Sequence, residues 1–361
     1  MNLLNFSDSN TASQIINKIN IIAKKIETAH IMEVCGTHTM EIGRLGIRSI
    51  LPSNIDLISG PGCPVCVTSA SYIDSAIELS ENKNHIIVTF GDMIRVPGTN
   101  NSLDNARAKG ADIMVVVSPL NAISIAKENP DKEIIFLAVG FETTAPATAR
   151  AIQLAKNDKI KNLSFFVSHK LVPPALLALI NDPMLKISAF LLPGHVSAII
   201  GESPYIKVVK SGYPCVITGF EPIDILSGIM LTCEMIANKK FALINGYSRI
   251  VKPNGNQIAL KTVYDVFDIC DSVWRGIGII PQSGLKIKKQ YEELDAAKRF
   301  SVLEKLDQKM PEKCLCGEVL KGRIKPNKCP SFSKSCTPQH PLGPCMVSSE
   351  GSCAAYFKYG C

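Results

Sequence analysis

The chain has no run of about eighteen consecutive apolar residues, so no membrane span is expected. Its opening MNLLNFSDSN carries neither the basic segment nor the apolar core of a secretory leader, and a cytoplasmic protein with mostly reduced thiols is expected. No GxxxxGKS/T phosphate loop occurs, and GIGIIP (276–281) lacks the third glycine of a dinucleotide fingerprint, which leaves nucleotide binding with little support. An arginine-rich run and a helix–groove motif are also missing, which weighs against nucleic acid. Charged residues are 20% of the 361 positions and apolar ones 46%, the balance of a globular chain with room for two or three domains.

Cysteine is abundant. Thirteen is an odd number, so complete internal pairing is impossible, and reduced thiols in such number usually hold metal or do redox work. Cys35, Cys63, Cys66, Cys215, Cys233 and Cys270 are spread over the first 313 residues. Cys314, Cys316, Cys329, Cys336, Cys345, Cys353 and Cys361 crowd into the last 48. Residues 286–361 also hold 14 Lys/Arg against 8 Asp/Glu, six of the net +7. That basic surface is best explained as solvated and as offsetting clustered thiolates.

From residue 29 onward, short apolar runs alternate with segments of helical spacing. The runs are 30–35, 55–59, 85–90, 112–117, 133–139, 163–168, 187–192 and 215–220, most of them apolar throughout, as strands buried on both faces should be. Between them, 71–82, 145–156 and 222–238 carry helical periodicity. The alternation predicts an α/β fold with parallel sheets. Gly-Phe-Glu recurs where two of the runs end, at 140–142 and 219–221, which favours two related sheets facing a cleft over one large sheet. Pro253-Asn254-Gly255-Asn256 then breaks the pattern. Beyond it the spacing predicts a helix over 257–268, a Gly-rich stretch around Trp274 and a charged helix over about 290–306. Residues 311–361 read as irregular and in need of a staple such as a metal cluster. Residues 11–28 read as an amphipathic packing helix.

Gly60-Pro61-Gly62-Cys63-Pro64-Val65-Cys66 follows a predicted strand and precedes a helix, where the helix dipole would favour thiolate. Redox chemistry, metal ligation and inert packing all remain open for it. Cys35-Gly36-Thr37-His38 also lies at a strand end, and pairing of 30–35 with 55–59 would bring Cys35 near Cys63 and Cys66. Asp92, Glu142, His169-Lys170, His195 and Glu221 follow other runs, and together they predict one polar cleft. In the tail, gaps of fourteen, six and sixteen residues separate Cys314, Cys329, Cys336 and Cys353. Wide spacing in Gly/Pro loops favours an iron–sulfur cluster over zinc, with Cys316, Cys345 and Cys361 as alternative ligands or free thiols.

CGTHT (35–39), GPGCPVC (60–66), FGDMIRVPG (90–98), GFETTAPA (140–147), LPGHVSAIIG (192–201), GFEPIDIL (219–226) and the tail CTPQHPLGPCMVSSEGSCAAY together resemble the HypD family of hydrogenase maturation factors over nearly the whole chain. The resemblance implies two related α/β domains facing a cleft and a third, mostly irregular and helical, carrying a 4Fe–4S cluster. The boundaries expected here are 29–98, completed by about 220–250, for the first; 99–219 for the second; and 1–28 with 251–361 for the third. It further implies a scaffold, not a conventional turnover enzyme, on which the Fe(CN)2CO unit of nickel–iron hydrogenase is built together with HypC. Cyanide would come from HypE, with HypF upstream, and the hydrogenase large-subunit precursor would be served indirectly. By resemblance Cys35 would bind that iron, Cys63 and Cys66 would be a redox dithiol, and Cys314, Cys329, Cys336 and Cys353 the cluster ligands. The arrangement is similar to that of ferredoxin–thioredoxin reductase. His38 is expected to tune Cys35 or move protons, and His195 and Glu221 to line the cleft. The alternative function is a stand-alone iron–sulfur thiol–disulfide oxidoreductase; a zinc-stapled binding module is a third class.

Overall fold

The computed structural model describes residues 8–302 and 314–360. Each of the eight apolar runs contains a strand: β1 Ala29–Glu33, β2 Ile55–Ser59, β3 His85–Thr89, β4 Ile113–Val115, β5 Glu133–Gly140, β6 Leu163–His169, β7 Ala189–Pro193 and β8 Cys215–Thr218. Three more follow: β9 Leu243–Asn245, β10 Phe267–Trp274 and β11 Gly278–Ile287. The first nine form two parallel sheets, in the orders β2-β1-β7-β8-β9 and β4-β3-β5-β6. Their central strands are buried on both faces, which is why they read as continuous apolar runs and not as alternating ones.

The chain lays down two strands of the first sheet, crosses to complete the second, and returns for the last three. This sheet membership differs from the expected boundaries. β3 sits between β4 and β5, so residues 85–89 belong with the second sheet and not with 29–98. β7 and β8 pair with β1 and with each other, so the expected block 99–219 is split between the sheets. Buried parallel strands have interchangeable apolar sequences, and only the hydrogen-bonded neighbour tells which sheet each one joins. The N-terminal helix Ser9–Ala23 buries Ile15, Ile19 and Ala23 against the helix Pro222–Ala237 on the first sheet, away from the Cys-rich tail.

The helices expected near 71–82, 145–156 and 222–238 span Ala70–Ser80, Ala145–Asn157 and Pro222–Ala237. Ser69 caps the first by accepting from the Tyr72 amide, and Pro222 opens the third, where its missing N–H leaves nothing unpaired. The helix expected over 257–268 ends at Val266. Beyond it β10 and β11 form an antiparallel hairpin, and Gly276 and Gly278 take the positive φ that its turn requires. The hairpin lies against β6 and the helix Val172–Ile180. The expected charged helix is two short pieces, Lys289–Leu294 and Ala296–Arg299, separated by an extended Asp295. Its end at 303–306 and Cys361 lie outside the described residues.

Residues 314–360 carry the short helices Cys316–Leu320 and Ser352–Tyr359, with turns between. The tail has no sheet of its own. Its Cys316, Val319, Leu320, Cys345, Met346 and Cys353 enter one apolar core with Cys63, Cys66 and Trp274. The helix Ser352–Tyr359 is pinned to the first sheet by Arg48, which ion-pairs with the fully buried Glu33 and donates from Nε to the Tyr356 hydroxyl at 3.0 Å.

Candidate functional site

Four neighbouring strands of the first sheet deliver the site. β1 runs into Cys35, β2 into the Gly60–Cys66 loop, β7 into His195 and β8 into Gly219-Phe220, all at their carboxyl ends. Carboxyl ends of parallel strands are where open α/β sheets gather ligands. The backbones close tightly there. Gly36 donates to the Gly62 carbonyl at 2.9 Å, and a Cβ on Gly62 would lie 2.3 Å from the Cys35 nitrogen.

Cys35 stands at the N-cap of the helix Gly36–Arg44, with its sulfur 3.8 Å from Nε2 and 4.0 Å from Nδ1 of His195. His195 stacks on Phe220, ring centroids 5.0 Å apart. Burial pushes the Cys35 thiol up to about 12, against the backbone amides of His38 and Thr37 and the Thr37 hydroxyl, which favour thiolate. Burial also pulls His195 down to about 4, so the pair rests as thiol and neutral imidazole. His38 acts on Cys35 through its backbone amide, while its ring turns elsewhere. Its Nε2 lies 2.9 Å from the Gly219 carbonyl, its ring packs 4.7 Å from Phe220, and its buried Nδ1 has no partner. The imidazole beside Cys35 is therefore that of His195. Glu221 is exposed at the start of the helix Pro222–Ala237 and makes no capping bond.

The other strand-end groups do not share this cleft. Asp92 accepts from the Ser348 hydroxyl at 3.2 Å. Glu142 accepts from the Val172 amide at 2.8 Å and borders a separate cavity beside Tyr264 and Pro281. His169 is buried under Phe267, and Lys170 donates to Ser168, Ser272 and the Val273 carbonyl. The second sheet uses these polar groups to hold the tail, the hairpin and its own loops, which a count of polar residues at strand ends cannot foresee. The two Gly-Phe-Glu repeats likewise diverge, one glutamate buried and the other exposed.

Cys63 caps the helix Pro64–Val67, and the free thiols of Cys63 and Cys66 lie 2.7 Å apart. Cys63 Sγ also accepts from the Cys66 amide at 3.2 Å. Burial holds the Cys66 thiol well above its ordinary value, opposite to the thiolate character expected from the helix dipole. Four residues of helix carry too few aligned peptides to offset complete desolvation.

Cys314, Cys316, Cys329, Cys336, Cys345 and Cys353 line one almost wholly apolar pocket with Phe332, Leu342 and Met346. Gly343 is pressed to its wall: a Cβ there would come within 2.6 Å of Cys314 Sγ. The Cys336 sulfur accepts from the Leu342 amide at 3.4 Å. The hydrogen bond to Cys316, then burial, holds the Cys314 thiol far above its ordinary value. The thiols of Cys316, Cys353 and Cys66 all act on that of Cys345, and Cys314 acts on Cys316. The buried cysteines of the pocket and the Cys63–Cys66 pair thus share one core, in which the helix Pro64–Val67 packs against the turn Pro344–Met346. Cys316 and Cys345 had no assigned role from sequence, although the Cys-x-Cys at 314–316 and the position of Cys345 between two predicted ligands were visible signals.

The donor set suits an iron–sulfur cluster, being soft, apolar in setting and richer in sulfur than four ligands need. Among the described residues no three His, Cys, Asp or Glu converge to hold a single metal ion. The tail also reaches the Cys35 turn: Thr37 donates to Glu350 Oε1 at 2.7 Å, and a Cβ on Gly36 would meet the Glu350 backbone at 2.5 Å. Among the described residues no helix is long and apolar enough to cross a membrane.

Fold and site define a two-sheet α/β protein whose sheet end, dithiol loop and Cys-rich tail form one thiol-dense centre. The family profile of HypD, described as the hydrogenase formation hypA family, matches residues 10–360, and the chain belongs to that family. It is 42% identical to the hydrogenase maturation factor HypD of Rhodobacter capsulatus, over 98% of this chain and 97% of that protein. A putative hydrogenase expression/formation protein of Methanocaldococcus jannaschii is 40% identical over 99% of each chain. The hydrogenase maturation factor HypD of Escherichia coli K12 is 42% identical over 91% of this chain and 88% of its own.

Proposed function

We propose that this protein is a hydrogenase maturation factor acting as the scaffold on which the Fe(CN)2CO unit is assembled. Cys35 supplies one soft thiolate to the iron, which is cargo, and a second thiolate comes from the small partner HypC. Binding releases the Cys35 proton, because only thiolate ligates. His195, 3.8 Å away and neutral, is placed to take that proton. Cyanide arrives from HypE, supplied through HypF, and the finished unit passes to the hydrogenase large-subunit precursor.

Cys314, Cys329, Cys336 and Cys353 would hold a 4Fe–4S cluster in the tail pocket, where it supplies electrons singly. The remaining thiols do two-electron chemistry. When Cys63 and Cys66 are joined as a disulfide, the Cys345 thiol attacks Cys66, forming a Cys345–Cys66 bond and breaking the Cys63–Cys66 bond, with its proton passing to the released Cys63. Cys316 then attacks Cys345, releasing Cys66. The Cys63–Cys66 pair gains two electrons and the Cys316–Cys345 pair gives them up.

The observation that carries this reading is the packing of the helix Pro64–Val67, with Cys66, against the turn Pro344–Met346, with Cys345, on a loop whose Gly62 touches the Cys35 backbone. Burial of Cys63 and Cys66, 3% and 0% exposed, argues against a stand-alone oxidoreductase, which must present a sulfur to other proteins. The test is the infrared spectrum of the anaerobic complex with HypC. Cyanide and CO stretching bands are expected, and bands that persist in Cys35→Ala would remove Cys35 as the ligand.

A further inference from the structure

Arg275 is completely buried at the hairpin turn, an unusual place for a guanidinium. Nη1 donates to the Pro97 carbonyl at 2.7 Å, while Nε and Nη2 have no partner. No carboxylate among the described residues forms an ion pair with it. A buried guanidinium left without a counter-charge is strongly destabilising, so the fold must place it against negative charge of another kind.

Its surroundings identify that charge. The Arg275 amide donates at 2.8 Å to the carbonyl of Val67, the residue after Cys66. The next residue, Gly276, lies against Gly317, the residue after Cys316, so closely that a Cβ on Gly276 would come within 2.4 Å of the Gly317 Cα. Arg275 is thereby wedged between the dithiol helix and the tail pocket, and it acts electrostatically on both Cys314 and Cys316. Among the described residues, the anion-forming groups on which Arg275 is seen to act are the sulfurs of Cys314 and Cys316.

We infer that Arg275 is the built-in counter-charge of the thiol centre, a positioning residue that favours the reduced, more negative state of a cluster in the tail pocket. The inference rests on the cluster reading above. An electron added to the cluster raises its negative charge by one with no atom transferred, and a fixed buried cation nearby makes that addition easier.

The full chain is purified anaerobically as wild type, Arg275→Gln and Arg275→Lys, with iron and acid-labile sulfide measured on every sample. Each is titrated with dithionite and followed by electron paramagnetic resonance. Arg275→Gln is expected to lower the equilibrium constant for reduction about tenfold, ~59 mV for a one-electron couple, and Arg275→Lys to stay within about threefold of wild type. Arg275→Gln that holds iron and sulfide yet titrates like wild type overturns the counter-charge and leaves the cluster standing. Wild type without sulfide overturns both. Should Arg275→Gln fail to fold, wild type grown with 15N-arginine decides. Pulsed resonance of the reduced protein is expected to show a 15N coupling absent from Arg275→Lys, and no such coupling in wild type overturns the assignment.

Discussion

Cys345 and Cys66 lie in one buried core, where each thiol acts on the other, and their packing joins the Cys-rich tail to the loop that follows β2. Replacing Cys345 by serine keeps the volume and removes the ability to form a mixed disulfide. Reduction of an oxidised Cys63–Cys66 pair by dithionite-treated holoprotein should slow at least about tenfold, read by differential alkylation and mass spectrometry. An unchanged rate would mean that electrons reach the pair without Cys345.

Cys35 should be a sluggish nucleophile in the metal-free chain. With its thiol pushed up to about 12 by burial, about a hundred-thousandth of it is thiolate at pH 7. Its alkylation by iodoacetamide should therefore rise about tenfold per pH unit between pH 7 and 9. A rate that levels off near pH 8.5 would show an ordinary cysteine.

Glu142 should make the protein less stable in mild alkali. Burial raises its carboxyl to about 7, so the folded state favours the protonated form. That contribution is fully present below the unfolded value near 4.5 and is lost as pH rises through 7. Glu142→Gln retains an acceptor for the Val172 amide without the charge. Relative to wild type it should gain roughly 2–3 kcal/mol between pH 4.5 and 8, measured by urea denaturation at both pH values. Parallel curves across that range would contradict the burial argument.

Arg48→Met leaves the fully buried Glu33 without its cation and should destabilise the fold by about 3–5 kcal/mol. The double variant Glu33→Met with Arg48→Met removes both charges and should recover most of that loss, since an apolar pair of similar volume often replaces a buried ion pair without net cost. Thermal melts of the three proteins check this. Equal loss in the single and double variants would show that packing, not the unpaired carboxylate, dominates.

Strands buried on both faces announced themselves, because runs such as Ile86–Val88 and Phe190–Leu192 have no solvent-facing position to interrupt them. The choice of sheet was not legible, since β3 and β7 are equally buried and their neighbours come from distant parts of the chain. The hairpin was hidden by the helix before it. Phe267 is both the first strand residue and the C-cap of the helix Gln257–Val266, so the apolar spacing runs across the boundary. Cys35 and the dithiol could be read because glycine, proline and cysteine crowd together at strand ends. That the imidazole beside Cys35 is that of His195 was not legible, because sequence proximity favoured His38, three residues away, whereas the sheet brings the more distant ring to the sulfur. Arg275 gave no sequence signal, since burial of an arginine at a turn is decided by what packs over it.

Gly62 has no room for even a methyl group against the Cys35 backbone, and Gly36 none against Glu350. The separation between the Cys35 thiol, the Gly60–Cys66 loop and the tail is therefore set by main chain touching main chain, the least compliant contact a protein can make. Side chains around these junctions can vary and shift the acidity or potential of each sulfur, while the spacing between the three centres stays constant. The protein keeps its measuring distance in its glycines and its chemical tuning in everything that surrounds them.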